Sequence, residues 1–173
     1  MPRTPTTSSC RPATPRADLY ACVESGTPGI WRKIAGPGTA GAFHVIEPVR
    51  MHDSRIAAVP NNSRIEPNQS KTIVVADGRD LAGAVIAAGA VPDGATAMSF
   101  NLTIAGTGAG NFLSVVPGDA SGFNSSSINW AGPGQVVANG LTVGVDAARS
   151  VKVFRGAGTG GTDFIIDVNG FWR

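Results

Sequence analysis

The sequence predicts an all-β protein, a β-sandwich or jelly roll of short antiparallel strands, and three observations lead to this fold class. The chain has 23 Gly and 12 Pro in 173 residues but only 15% charged residues, and Gly and Pro separate short strands while they break helices. Apolar, β-branched runs alternate with Gly-, Ser- and Asn-rich loops from residue 96 onwards. Strand-type segments recur roughly every 10–15 residues without convincing helices between them, which favours a sandwich over a parallel α/β fold.

The first 42 residues divide into three segments. Residues 1–17 carry Pro, Thr, Ser and Arg without hydrophobic periodicity, which predicts a disordered tail. Residues 18–34 contain two β-type runs, Leu19–Val23 and Ile30–Ile34, around a Gly-Thr-Pro-Gly turn, and this pattern predicts a small hairpin. Residues 35–42, AGPGTAGA, are typical of a flexible, Gly-rich linker.

The sandwich domain is predicted to span residues 43–173. Phe43–Arg50 has the composition of a strand that Pro48 interrupts, and Met51–Ile56 is expected to turn into another short extended piece. Lys71–Ala76 is predicted to be a strand from its β-branched content.

Leu81–Ala90 is ambiguous from its sequence. Its alanines favour a short helix, whereas Gly83 and Gly89 disfavour one. VPDGA, which follows at residues 91–95, is typical of a turn.

Six further strands are predicted between residue 96 and the C-terminus. In the first of them, four apolar residues from Met98 to Ile104 alternate with smaller ones, which is the period of a strand with one buried face. Phe164, Ile166 and Val168 alternate in the same way in the last strand. The six are Thr96–Ile104, Asn111–Val116, Ser126–Trp130, Gly140–Val145 with the preceding Val136–Ala138, Ser150–Arg155 and Thr162–Phe171.

Two resemblances arise from these segments. FHVIEPVRMHDSR, AMSFNLTIAG, NFLSVVPGDA, SSSINW, VANGLTVGV and TDFIIDVNGFW, in this order, resemble a β-domain common in secreted and surface proteins of actinobacteria and other bacteria. This likeness covers residues 43–173 and implies a fold rather than a reaction. LYACVESGTPGIWRKIAG resembles a short C-x-x-x-G-T-P-G-x-W module of phage tail-fibre and other virion-associated proteins. Together they imply a structural component of a virion or a cell surface.

The motif RMHDSR supplies the first candidate site. Arg50, Asp53 and Arg55 can bind a carboxylate, a phosphate or sugar hydroxyls, because Arg presents a planar fork of donors. The alternative, which the pattern favours, is an Arg–Asp pair that fixes a turn between strands.

Asparagines and a tryptophan supply the second candidate site. Asn101, Asn129 and Asn139 match asparagines of the family pattern and can line a polar groove for a glycan, and Trp130 can stack on a sugar. The structural alternative is again favoured, because Asn often bonds nearby backbone and strand-end aromatics are often core or interface anchors.

Catalytic, nucleotide and metal sites are not expected. GAGTGG at residues 156–161 satisfies G-x-G-x-x-G, but a strand follows it where the dinucleotide motif needs a helix, so a hairpin loop is predicted. Asp163 and Asp167 lie four residues apart on a strand, roughly 13 Å by strand rise, too far for the usual glycosidase pair. Two cysteines and two histidines lack zinc spacing, so neither a metal nor a cofactor is predicted.

These observations predict a non-enzymatic structural or adhesive domain of a phage tail or bacterial cell-surface assembly. Its expected partners are copies of itself, with a trimer suggested by the tail-fibre likeness, and a surface glycan or another surface protein. A net charge of +2 with scattered positive residues gives no footprint for nucleic acid, and no apolar run is long enough for membrane insertion. The expected location is the virion or the cell exterior, although no signal peptide is visible. The sequence does not decide whether Cys10 and Cys22 form a disulfide. A carbohydrate-binding module is the first alternative and a polysaccharide-degrading enzyme the second.

Overall fold

The structure, a computed structural model, describes residues 18–35 and 41–173. These residues belong to two compact units that divide after residue 40. The predicted disordered tail (1–17), Cys10 and most of the predicted linker (36–40) lie outside the described residues.

The first unit is the predicted hairpin. Strands β1 (Leu19–Glu24) and β2 (Ile30–Ala35) pair antiparallel, with register shifts at two places. The turn between them contains the Gly-Thr-Pro-Gly sequence, as expected.

The second unit confirms the all-β prediction, because its described residues form ten strands and no helix. They lie in two antiparallel sheets, one of six strands in the order β10-β7-β12-β3-β5-β6 and one of four in the order β4-β11-β8-β9. The strands are β3 (Phe43–Asp53), β4 (Ser70–Val74), β5 (Gly78–Arg79), β6 (Val85–Ala87), β7 (Ala97–Ala105), β8 (Asn111–Pro117), β9 (Ile128–Trp130), β10 (Val137–Gly144), β11 (Ser150–Arg155) and β12 (Asp163–Trp172).

One hydrophobic core joins the two sheets as a sandwich. The six-stranded sheet contributes the predicted inward faces of β7, from Met98 to Ile104, and of β12, from Phe164 to Val168. The four-stranded sheet contributes Leu113, Val151 and Val153 among others. Period-2 alternation therefore located the buried face correctly on both central strands.

Pro48 does not interrupt the first strand of the sandwich, and Met51–Asp53 is strand rather than turn. β3 runs unbroken from Phe43 to Asp53. Its pairing with β12 shifts register at two places. One shift lies between the pairs Ile166–His52 and Asp167–Arg50, and the other lies between the pairs Val168–Val49 and Gly170–Val45. Pro48 falls within one of these irregularities, where the missing N–H is tolerated.

The ambiguous segment at residues 81–90 forms a turn and a short strand, not a helix. The Asp80 carboxylate accepts hydrogen bonds from the amides of Ala82 and Ala84, both at 2.9 Å, and this closes a tight turn into β6. Gly83 and Gly89 have positive φ angles of 89° and 64°, which a helix does not allow.

Candidate functional site

An ion-paired cluster lies where β3 runs beside β12. The strand register places Asp167 opposite Arg50, and Arg50 donates from Nε and Nη2 to the two Asp167 carboxylate oxygens at 2.8 and 3.2 Å. A third bond runs from Arg50 Nη1 to Asp53 Oδ2 at 3.1 Å. Arg55 donates from Nε and Nη2 to the two oxygens of the same Asp53 carboxylate, each at 2.8 Å. Two guanidinium groups thus share one carboxylate.

Asp53 holds this cluster together because its side chain is only 2% exposed. Burial by itself raises the pKa of Asp53, but the hydrogen bonds from Arg55 and the charges of Arg55 and Arg50 outweigh it, so the pKa is lowered. The pKa of Arg50 is raised, chiefly by its hydrogen bond to Asp167, and that of Arg55 by its bond to Asp53. All three groups therefore stay ionised in the folded protein at neutral pH.

A polar cleft of about 640 Å³ adjoins the cluster. We call it the polar cleft and define it by its lining residues: Ser54, Arg55, Ser63, Arg64, Glu66, Gln69 and Asp163. All except Asp163, which begins β12, come from the connection between β3 and β4.

The loop that forms one wall of the polar cleft is held in place by hydrogen bonds from β4. Lys71 of β4 donates from Nζ to the carbonyls of Asn61, Asn62 and Ser63 at 3.2, 3.1 and 2.5 Å. Burial lowers the pKa of Lys71. Ser63 has a φ angle of 87°, an unusual conformation for a serine that needs such external support. Ile65, fully buried, anchors the middle of the loop in the core.

Charges of both signs face the polar cleft. Arg64 donates from Nη2 to the carbonyls of Gly106 and Gly161, and its Nη1 lies 3.7 Å from Asp163 Oδ2. Ser54 donates to the other Asp163 oxygen at 2.8 Å. Two cations, Arg55 and Arg64, and two carboxylates, those of Glu66 and Asp163, therefore line the cleft. Its formal charge is balanced, and it presents both hydrogen-bond donors and acceptors.

His52 lies on the inner side of the same strand. It is 1% exposed and stacks on Phe164 with ring centroids 4.7 Å apart, and neither of its ring nitrogens has a hydrogen-bond partner among the described residues. Burial, with a smaller effect from Lys71, lowers its pKa to about 4. It borders a cavity of about 100 Å³, and the neutral imidazole is the form that this environment accepts.

The structure brings only some of the sequence-predicted site residues together. Asn101 on β7 lies directly opposite Asp167 of β12, so it joins Arg50 and Asp53 on the outer face of the six-stranded sheet. Its amide donates to Thr103 Oγ1 at 3.0 Å.

The other predicted asparagines lie elsewhere and make local bonds. Asn129 donates to Ser126 Oγ at 3.0 Å. Asn139, on edge strand β10, donates to the Ser127 carbonyl at 2.8 Å and so ties β10 to the segment before β9. The three asparagines do not line a common groove.

Trp130 is a core residue, which is the alternative that the sequence favoured, and not an accessible stacking platform for a sugar. It is 6% exposed and belongs to the core. Its Nε1 donates to the Ala109 carbonyl at 2.9 Å, and the Arg155 guanidinium lies 5.4 Å from its ring centroid. Burial of the ring leaves no face for a sugar.

The GAGTGG loop is followed by a strand, as expected, but it is not a hairpin loop. β11 and β12 belong to different sheets, so residues 156–162 cross the sandwich. Arg155, 2% exposed, supports the crossing by donating to the carbonyls of Gly156, Thr159 and Gly160. Burial lowers the pKa of Arg155.

Within the described residues, no group of three or more His, Cys, Asp or Glu side chains is placed to hold a metal ion. The same residues include no helix long and apolar enough to cross a membrane. No protein-family model matches the chain, and no curated protein sequence matches it.

Sequence reasoning missed most of the polar cleft. Residues 61–70, NNSRIEPNQS, have the composition of a polar loop, and nothing in that composition distinguishes Arg64, Glu66 or Gln69 from its other polar residues. One signal was available: Ile65 is a lone aliphatic residue in a ten-residue polar segment, and such a residue indicates a loop pinned to the core rather than free in solvent.

Proposed function

We propose that this chain is a non-enzymatic structural and adhesive domain of a phage tail or bacterial cell-surface assembly, in which a rigid sandwich presents polar loops to a surface partner. The observation that carries this proposal is the anchoring of the polar cleft: its wall is bonded to β4 through Lys71 and to the sheet through Arg55 and Asp53. A surface held in one conformation loses little entropy when it binds. The phage or cell-surface setting itself rests on the sequence resemblances.

A carbohydrate-binding module is the second candidate, and the balanced charge of the polar cleft favours it. Hydroxyl groups donate and accept hydrogen bonds, so a polyhydroxylated ligand needs both kinds of partner, which Arg64, Glu66 and Gln69 provide. A polyanion would need an excess of cations. The chemistry therefore suits a neutral or zwitterionic section of a cell-wall or capsular polysaccharide.

Binding to purified bacterial cell walls and capsular polysaccharides tests both candidates. We expect the full chain to be retained on at least one such polymer and Glu66→Ala to weaken retention by about tenfold, the equivalent of one lost charged hydrogen bond. Asp93→Ala is the matched control, because Asp93 is 90% exposed and lies outside the cleft. Retention that Glu66→Ala leaves unchanged would contradict a role for the cleft, and the absence of retention on every polymer would leave the carbohydrate candidate without support.

A further inference from the structure

The cavity beside His52 combines a buried imidazole with cations that have no carboxylate partner. We call it the His52 cavity; it has a volume of about 100 Å³ and is lined by Met51, His52, Val59, Pro60, Asn61, Ile73, Val74 and Arg79. His52 is 1% exposed, and neither Nδ1 nor Nε2 has a hydrogen-bond partner among the described residues. A buried polar group without a partner is destabilising, so a ligand that bonds this imidazole is stabilised by the site.

The path of β3 directs two consecutive side chains toward the His52 cavity. Register against β12 shifts between the pairs Ile166–His52 and Asp167–Arg50, and Met51 falls within this shift. Met51 and His52 consequently both border the cavity instead of alternating between the two faces of the sheet. Such irregularities re-aim side chains and are common next to active sites.

The charges around the His52 cavity favour an anion. Burial has the largest effect on the pKa of His52, and the positive charges of Lys71 and Arg79 lower it further, while Asp53 opposes them. The Asp53 carboxylate is already bonded to the two arginines of the ion-paired cluster. Neither Lys71 nor Arg79 forms an ion pair within the described residues. Two cations without a carboxylate partner attract an anion to the space between them and the imidazole.

The size and the walls of the His52 cavity restrict this anion to a short carboxylate. A volume of about 100 Å³ has room for roughly three to five non-hydrogen atoms, since a water molecule occupies ~30 Å³ in the liquid. Met51, Val59 and Ile73 form an apolar wall, and each of them is at most 4% exposed. Such a wall suits a methyl or ethyl group and disfavours the all-polar surface of a phosphate or sulfate. Pro60 and Val74 are exposed members of the lining and place the entrance beside β4.

We propose that the His52 cavity binds a free short aliphatic carboxylate, whose oxygen accepts a hydrogen bond from the imidazole of His52 near the charges of Arg79 and Lys71. The alkyl group of the ligand lies against the apolar wall. The His52 cavity and the polar cleft have no lining residue in common, so this site does not depend on the binding of a polymer in the cleft.

Nuclear magnetic resonance of the two histidine rings in the full chain tests the proposal. Propionate, added at constant ionic strength with sodium chloride as the reference salt, should shift the His52 ring resonances saturably. The resonances of His44, which is exposed and outside the cavity, should stay in place. Benzoate should not bind, because its ring exceeds the volume of the cavity. Propionamide, which has a similar shape without the charge, should bind at least tenfold more weakly.

Binding should strengthen as the pH falls. A carboxylate in contact favours the imidazolium, so it should raise the pKa of His52 from its value of about 4. Linkage then requires the affinity for ionised propionate to increase, about twofold or more between pH 7 and pH 5. The charged groups that face this ring are Asp53, Lys71 and Arg79, and the ordinary pKa values of these residue types lie outside that range.

Two variants block the site by different means. Arg79→Gln removes a cation and should weaken propionate binding by at least tenfold. Val59→Leu fills the cavity with apolar atoms, changes no polar group and should abolish binding. Arg173→Gln is the matched control, because it removes the same charge from an exposed residue outside the cavity. Thermal unfolding of each variant verifies that the sandwich is intact.

Three results would overturn the proposal: no saturable shift at His52, an equal shift on addition of chloride alone, or unchanged affinity in either Arg79→Gln or Val59→Leu. Retention of the chain on a polymer measures the polar cleft separately. Failure of the His52 cavity and failure of the proposed function are therefore distinguishable.

Discussion

Asp53 is the residue on which the candidate site depends. Its carboxylate accepts bonds from Arg50 Nη1 and from the amide, Nε and Nη2 of Arg55. The acceptor is an ionised carboxylate and three of the four donors belong to guanidinium groups, so all four bonds are charge-assisted and of the stronger class. Arg50 and Arg55 thus serve first to fix the end of β3, and only Arg55 also lines the polar cleft.

Replacement of Asp53 should destabilise the fold more than replacement of Asp167, the other carboxylate of the ion-paired cluster. Asp53→Asn removes a buried charge that two cations share, and we expect a loss of about 2–3 kcal/mol in the free energy of unfolding. Asp167→Asn is the control, because Asp167 is 29% exposed and a partly exposed pair contributes about 1 kcal/mol or less. Urea denaturation measures both, and equal losses would show that burial of Asp53 does not matter.

His52 should make the protein sensitive to mild acid. Its pKa falls from 6.5 to about 4 on folding, so the unfolded chain binds a proton between these values and the folded chain does not. The free energy of unfolding should therefore have its full value above pH 6.5 and should decrease by about 3 kcal/mol in all as the pH falls to 4. The lowered pKa of Asp53 removes stability only at still lower pH, below its ordinary value of 3.8.

The variant His52→Phe tests this assignment. Phe keeps the aromatic contact with Phe164 and can use space in the adjoining cavity of about 100 Å³. The midpoint of denaturation of the variant should then change little between pH 7 and pH 4. A variant that loses stability with acid as steeply as the wild type would contradict the role of His52.

The elements show where sequence reasoning succeeded and where it stopped. Alternation placed β7 and β12 and their buried faces, because a period of two is a local signal. The continuity of β3 through Pro48 depends on a register irregularity against β12, a partner more than 100 residues away, and no local pattern reports it. The GAGTGG loop was assigned to a hairpin for the same reason, since local sequence does not say which sheet the next strand joins.

The loop at residues 156–161 should loosen when its buried cation is removed. Arg155→Met leaves three carbonyls without their donor, and we expect a stability loss of about 2 kcal/mol. Hydrogen exchange of the loop amides should quicken on the order of tenfold or more. Lys152→Met, on the same strand, is the control and should leave exchange in this loop unchanged.

Composition and strand spacing were sufficient to predict the fold class of the molecule, because short strands that Gly and Pro separate, without helices, have few ways to bury a core. The candidate site was less accessible. The sequence points to Arg50, Asp53 and Asn101, which do share one sheet face. It relates Asp163 and Asp167 only as two carboxylates on one strand and does not show which cations they meet. Arg64 and Glu66 reach the polar cleft through a loop whose path is set by Ile65 and Lys71, which only the tertiary structure reveals.

The two units should behave independently in solution. Substitutions in the hairpin, such as Leu19→Thr together with Ile34→Thr, should leave the unfolding midpoint of the sandwich unchanged, because residues 41–173 hold a core of their own. Unfolding followed by Trp130, which is buried in the sandwich, measures this in a chain whose other tryptophans are replaced by Phe. A clear shift in midpoint would show that the units are coupled.

The proposed function requires the sandwich to bind a partner on a surface, here a surface polymer, without altering it. Its most direct test is to incubate the full chain with a polysaccharide that retains it, and then to measure both the bound protein and the chain length of the polymer. We expect saturable binding that Glu66→Ala weakens, with no change in polymer length. If the polymer is shortened, and Asp163→Asn or Glu66→Gln abolishes the shortening, the polar cleft is an active site and the proposed non-enzymatic role is wrong.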